Sequence, residues 1–255
     1  MPIDVLTWQF LTRPLSSIPP APLLYLENVG RGGMNMLPRV VIHNAVSLDG
    51  SIRLRSPDLA TYYGLARVWK EDATLAGRET ILAGEKEAPP EKPADIGPWA
   101  VDPDDRRALL VVPDSRGRIR FWHFLRRSGY WRDVVVLCSR STPVRYLEYL
   151  RERHIDCIVT GGRKVDLRSA LEVLRTDFGV RTIRVDSGGI LNGILLREGL
   201  VDEVSLLVHP EVAGDDRPKT FFSGPAIHPE RAMLRLFKVQ RVKGGLAWLR
   251  YRVVH

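Results

Sequence analysis

From residue 37 onward the chain alternates between two hydrophobic rhythms. Runs such as "RVVIHNAV" (39–46), "ATLAG" (73–77), "ALLVVPD" (108–114), "DVVVLCS" (133–139), "IDCIVTGG" (155–162), "VRTIRVD" (180–186) and "VDEVSLLVHP" (201–210) are short, apolar and rich in β-branched residues. Bounded by glycine or proline, they predict buried strands. Between them, apolar residues return every three or four positions in "DLATYYGLARVWKE" (58–71), "PVRYLEYLRERH" (143–154), "DLRSALEVLRTDFG" (166–179) and "GILNGILLREG" (189–199). That spacing predicts helices. Asp58 and Asp166 are placed as N-caps, Thr142 as cap before Pro143 at the first helical position, and Gly179 as a stop. Two final runs, "MLRLFKVQRVKGG" and "LAWLRYRVV", meet at Lys243-Gly244-Gly245, a hairpin signal. Strand–helix alternation of this kind predicts an α/β fold: a mostly parallel central sheet flanked by helices, closed by a C-terminal antiparallel hairpin.

Two stretches break the rhythm. Residues 1–35 hold no sustained period, and their prolines forbid a long helix. They read as an extension, with Met34 or Met36 as the expected natural start and one domain over 37–255. The stretch 84–107, "GEKEAPPEKPADIGPWAVDPDDRR", is dense in proline and charge and reads as a surface loop inside that domain.

Composition narrows the classes. No apolar run approaches the ~18 residues that a membrane-crossing helix needs, and no signal-peptide pattern opens the chain. The two cysteines, Cys138 and Cys157, sit in strand-like runs at a spacing that suits neither a zinc site nor a disulfide framework. They read as buried, reduced thiols, which fits a cytoplasmic location. The excess of 38 Lys and Arg over 30 Asp and Glu gives a net charge of +8. That charge suits a nucleic acid or a phosphorylated small molecule, but the arginines fall singly or in pairs, without a basic stripe interleaved with aromatics. The small phosphorylated ligand is therefore the preferred reading, and a nucleotide- or RNA-binding module the minor one.

Chemistry concentrates at strand ends. Four loops carry glycine or small hydroxyl residues where a run stops and a helix begins: "AGRETI" (76–81), "CSRST" (138–142), "VTGGRK" (159–164) and "VDSGGILNG" (185–193). Open α/β sheets bind ligands beyond the carboxyl ends of their strands, and a glycine before a helix aims backbone N–H groups at an anion. One such loop is equally a plain turn; four together favour a long phosphate-bearing ligand. Ser139 and Arg140 have the chemistry to hold a terminal phosphate monoester, or serve as an ordinary cap and a solvated arginine. Asn44, Ser47 and Asp49 lie where the first strand enters a turn, and Asp186 ends a strand beside a candidate phosphate loop. Both acids have simpler readings, Asp49 as an Asx-turn residue and Asp186 as a helix cap. His43 and His209 read as packing residues. The zinc-deaminase pattern and the nucleophile elbow are absent, and the histidines lack metal-ligand spacing. Hydride transfer from a bound nicotinamide is then the most economical chemistry.

The segments "VVIHNAVSLDGSI", "DATLAGRETI", "IVTGG" and "VDSGGILNGILLREGLVDEVSLLVHPEVAG" resemble the reductase domain of riboflavin biosynthesis, in its stand-alone form, over residues 37–255. The resemblance implies a dihydrofolate reductase-like fold, NADPH as cofactor, a homodimer, and reduction of the ribosyl side chain of a 5-amino-6-(5-phosphoribosylamino)pyrimidine to ribityl. It implies that Gly77, Thr80, Ser139, Arg140, Gly161, Gly162, Gly188, Gly189, Leu191 and Asn192 lie along NADPH. Asn44, Ser47, Asp49, Ser51, Arg53 and Asp186 would lie on the substrate side, Asp49 and Asp186 as catalytic groups; no metal is implied. Three positions depart from the family pattern: Ser51 stands where a lysine is usual, Asp186 where a glutamate is usual, and the 84–107 loop replaces a substrate-phosphate segment. These departures motivate a second reading, a reductase of the same fold acting on another substrate such as a dihydropterin.

Overall fold

The computed structural model describes residues 37–99, 102, 104–214, 219–224 and 233–254; the N-terminal extension and its candidate start residues lie outside them. In chain order the elements are β1 (Arg39–Val46), α1 (Leu59–Ala66), β2 (Ala73–Ala76), α2 (Arg78–Leu82), β3 (Leu109–Pro113), α3 (Trp122–Arg127), β4 (Asp133–Cys138), α4 (Val144–Glu152), β5 (Asp156–Val159), α5 (Leu167–Thr176), β6 (Thr182–Asp186), α6 (Gly189–Arg197), β7 (Glu203–Val208), β8 (Leu234–Arg241) and β9 (Ala247–Val253). The span read as one domain divides into two compact units. One is assembled from Arg39–Glu71 and Arg181–His255, the other from Asp72–Val180.

In the first unit, β1 lies between β6 and β7 and runs parallel to both. β9 pairs antiparallel with β7, and β8 with β9. The hairpin turns where predicted, at Lys243–Gly245, with positive φ at Gly244 and Gly245. From β1, Val41 packs with Tyr62, Ala66, Trp69, Leu207, Leu246 and Trp248 in one buried cluster. Glu203, at the start of β7, is buried but accepts from Trp69 Nε1 and pairs with Arg39 and Arg250, as a buried carboxylate must.

In the second unit β2, β3, β4 and β5 are all parallel, in the order β5-β4-β3-β2. α5 shows how pattern becomes packing. Leu167, Ala170, Leu171 and Leu174 fall on its buried stripe, and the Asp166 carboxylate accepts from Ser169 N at 3.1 Å to close the first turn. Trp122 and Tyr146 are fully enclosed, and burying aromatic side chains of this size contributes on the order of 2–3 kcal/mol each.

Two local expectations change. α4 begins after Pro143 rather than at it, and Thr142 does not cap it. The Thr142 hydroxyl instead donates to Ser115 O and accepts from Ser139 N, a use open to it because proline holds the preceding chain extended. α3 has no counterpart among the predicted elements; it is only six residues long, too short to show a period. The 84–107 stretch lies at the surface as read, and among its described residues Glu91 takes a forked bond from Arg153 and Pro89 O accepts from His123 Nε2 at 2.9 Å.

Candidate active site

The parallel strands of the first unit end in a group of interlocked polar residues. β1 runs into Ser47–Ser51, a tight turn with Gly50 at φ +80°. The Ser47 hydroxyl donates to Asp49 and accepts from Ser51 N at 3.0 Å. Ala213 N and Gly214 N also donate to the Asp49 carboxylate, at 3.1 Å each. Led by the Ser47 hydroxyl, these donors hold Asp49 down to a pKa of about 2. Asp49 is therefore a permanent anion that staples two loops while remaining exposed. Ser47 and Ser51 are buried within the turn, and Ser51 pairs with Thr220. Arg53 is exposed.

Asn44, on β1, donates to Ser187 O at 2.9 Å and accepts from Asn192 Nδ2 at 2.8 Å. Asn192 also donates to Phe221 O at 2.8 Å and has no exposed surface. The Asn192 amide ties α6 to β1 and to the 219–224 segment. Gly189 is explained the same way. A methyl group there would sit 2.4 Å from Thr220 O and 2.9 Å from Phe222 C, so this glycine admits the chain's own backbone. Gly188 differs. Its nearest neighbour would be Ile52 Cδ1, at 3.6 Å, and it caps α6 without any side chain closing the first turn. α1 and α5, by contrast, are closed by aspartates. Leu191 is buried on the inner side of α6.

Asp186, the last residue of β6, is only 7% exposed. Arg184 Nη1 donates to its Oδ2 at 2.8 Å, and the Tyr62 hydroxyl lies 3.2 Å from Oδ1. Arg184 also donates through Nε to Glu71 at 2.8 Å. Residues two apart on a strand share a face, so Arg184 and Asp186 meet without any turn. Tyr62 leads on to His43, whose ring stacks on it at 4.3 Å. Trp248 Nε1 donates to Ser205 Oγ, which leaves that hydroxyl's proton for His43 Nδ1, at 3.0 Å; Nε2–H then donates to Tyr62 O. Burial holds the His43 pKa near 4, so the ring is neutral and fully bonded. It is the core histidine the pattern suggested. His209 is also buried, with Nε2 accepting from Asp58 N at 3.1 Å.

The second unit gathers its own group at the carboxyl ends of β2 to β5. Gly77 begins α2 without a capping side chain, and Thr80 lies partly exposed within it. Ser139 is buried and tied to Ser141 and Thr142, while Arg140 is exposed. Gly161 is a turn residue, with φ +71° and no room for a methyl group: Lys164 O would be 2.3 Å away. Gly162 faces open space, and a methyl group placed there would meet nothing within 4 Å. The β3 end adds residues the motifs did not mark. Asp114 Oδ2 accepts from Arg118 N, Ile119 N and the Tyr146 hydroxyl, shaping the 115–119 loop. Arg118 and Arg78 both donate to the exposed Glu79. Among the described residues, no group of three or more His, Cys, Asp or Glu side chains is placed to hold a metal ion.

A family model described as the RibD C-terminal domain matches residues 38–248. The chain belongs to that family. A relative from Methanothermobacter thermautotrophicus, named 2,5-diamino-6-ribosylamino-4(3H)-pyrimidinone 5′-phosphate reductase, is 30% identical over 207 residues, covering 79% of this chain and 91% of the relative. A Saccharomyces cerevisiae protein of the same name is 26% identical over 203 residues, covering 72% and 77%. Among solved structures, a pyrimidine reductase-like protein from Corynebacterium diphtheriae has a TM-score of 0.65 at 18% identity, over 86% of this chain and 92% of that one. This RibD C-terminal domain protein spans 58% of the RibD chain of Acinetobacter baumannii, with a TM-score of 0.63. The shared fold is the dihydrofolate reductase-like α/β architecture expected of the family.

In this RibD C-terminal domain protein, the resemblance identified Asp186 but not Arg184, Tyr62 or Glu71. A signal for Arg184 was present in "RVD": an arginine two residues before the acid on a strand otherwise apolar. Tyr62 and Glu71 are more than a hundred residues away in sequence and carry no motif.

Proposed function

We propose that the chain is an NADPH-dependent reductase that converts the ribosyl side chain of a 5-amino-6-(5-phosphoribosylamino)pyrimidine to ribityl. The substrate form we favour is the 2,5-diamino pyrimidinone phosphate named for its relatives. The observation that carries this reading is the end of β6. There a carboxylate held by an arginine stands next to a helix whose first turn starts on glycine with no side-chain cap, in a chain matched along 91% of a reductase of that name. Uncapped helix N–H groups attract phosphate, and the open surface at Gly162 leaves room for close approach to a backbone. These features fit a dinucleotide.

In this reading Gly188 and the first turn of α6 hold a cofactor phosphate. Within the second unit, Gly77, Thr80, Gly161 and Gly162 are the candidate cofactor positions, and exposed Arg140 beside Ser139 is the candidate for the 2′-phosphate. Gly189, Leu191 and Asn192 act indirectly, by fixing α6. NADPH, when bound, supplies the hydride that adds to C1′ of the opened sugar. Asp186 faces the substrate, and Asp49, with Arg53 nearby in the chain, sets the edge of that site. Asn44, Ser47 and Ser51 shape it from beneath. The protein works as a homodimer in the cytoplasm; no helix among the described residues is long and apolar enough to cross a membrane.

The test is NADPH oxidation measured side by side with the ribosylamino-pyrimidine phosphate and with dihydrofolate. Turnover of the first alone is expected. Turnover of dihydrofolate alone would move the protein to the second reading.

A further inference from the structure

The Tyr62 hydroxyl has one proton and two acceptors in reach, His43 O at 2.6 Å and Asp186 Oδ1 at 3.2 Å. The shorter contact claims the proton, which leaves Arg184 as the principal partner of Asp186. Arg184 is itself 5% exposed and bridges Asp186 to Glu71. The groups facing Asp186 are therefore Arg184 on its own strand, Tyr62 on α1 and His43 on β1, with Glu71 acting through Arg184. His43 is neutral, so the guanidinium is the cation that meets the Asp186 charge.

We propose that Arg184 is a positioning residue that keeps Asp186 a fixed anion, so that Asp186 favours the cationic, ring-opened substrate instead of donating a proton to it. This rests on the function proposed above and names a device within that same site. The chemistry asks for an anion. When the C1′–O4′ bond breaks, O4′ takes a proton from solvent and the nitrogen lone pair forms a C1′=N⁺ bond. Hydride supplied by NADPH then adds to C1′, and the π pair returns to nitrogen, giving the ribitylamine and NADP⁺. One proton and one hydride enter, and nitrogen needs no further proton. The charge that develops beside the reacting carbon is positive, and a carboxylate stabilises it. The aspartate is one methylene shorter than the family's usual glutamate, and the arginine two residues earlier fixes where its oxygens lie.

The experiment compares Arg184→Met and Arg184→Lys with the parent, using Asp186→Asn as the assignment control. In the absence of substrate, the Asp186 carboxyl carbon is titrated by NMR in protein carrying ¹³C-labelled aspartate. Loss of an opposing charge from a buried carboxylate raises its titration midpoint by about one pH unit or more, so the midpoint moves up in Arg184→Met and less in Arg184→Lys. With substrate, the acid limb of the kcat/KM profile moves up in parallel while NADPH affinity stays within about twofold. Unmoved midpoint and unmoved acid limb, or a displaced basic limb, would overturn the proposal. Should Arg184→Met fail to fold, Arg184→Lys decides it by the same readouts. Absence of turnover by the parent would refute the proposed function alone, because the titration still reads the ion pair.

Discussion

Gly189 and Gly162 both belong to loops expected to carry cofactor, and the structure predicts opposite consequences for adding one methyl group to each. In Gly189→Ala the new Cβ lies 2.4 Å from Thr220 O, where real contacts hold at least 3.0 Å and commonly 3.4 Å. The 219–224 segment must retreat by 0.6–1.0 Å, the difference between those distances. The bond from Ser223 N to Gly189 O, 2.9 Å long, is strained with it. Overpacking of this kind costs about 1–3 kcal/mol, and alanine's helix propensity returns at most about 1 kcal/mol. A net cost of about 1–2 kcal/mol in a chain of this length is a fall in Tm of about 2–8 °C. Gly162→Ala meets nothing within 4 Å, so Tm stays within about 1 °C, since exposed substitutions usually change stability by under about 0.5 kcal/mol. Its effect falls on NADPH, with Kd rising about tenfold. Calorimetry and NADPH titration of the two variants separate the cases. An unchanged Tm in Gly189→Ala would refute the packing argument, and unchanged NADPH affinity in Gly162→Ala would remove that loop from the cofactor's path.

Three further outcomes follow from the same geometry. His43 is held near pKa 4 from an ordinary 6.5, so between those values the unfolded chain binds the proton that the native one refuses. Stability therefore rises with pH across that window, by about 3 kcal/mol for a shift of this size; denaturation midpoints at pH 5 and 7.5 read the slope, which flattens in His43→Phe. Arg140→Ala lowers the preference for NADPH over NADH by about tenfold or more in kcat/KM, and an unchanged preference would remove Arg140 from the 2′-phosphate. Asp186→Asn lowers kcat by about 100-fold or more while NADPH Kd changes less than threefold; equal loss of both would make Asp186 a structural residue only.

The two periods in the chain placed the main strands and most helices because burial and periodicity are local: the apolar residues of 40–42 and 134–138 are all buried. What stayed hidden depended on partners distant in sequence. Nothing in "GGILNG" reveals that Gly189 and Asn192 lie against residues 220–223. Asp49 reads as a turn residue or a catalytic acid, and the structure adds the donors that stabilise its charge, Ser47, Ala213 and Gly214. Asp186 was visible as the acid at a strand end, but its partners Tyr62 and Glu71 come from the far side of the sequence. The 84–107 stretch reads as a surface loop because proline and charge usually mean solvent, and its pattern does not show that Glu91 and Asp95 pair with Arg153 and Arg127. Division into two units was equally invisible, since the first unit closes only when the chain returns at Arg181.

The central claim is that hydride reaches C1′ of the ribosyl chain. NADPH deuterated at the transferable C4 position, incubated with enzyme and the ribosylamino-pyrimidine phosphate, tests it in one measurement, with NMR or mass spectrometry of the product. The account predicts one deuterium on C1′ of a ribityl product. Deuterium absent from that carbon, or oxidation of NADPH without formation of the ribityl chain, would contradict it.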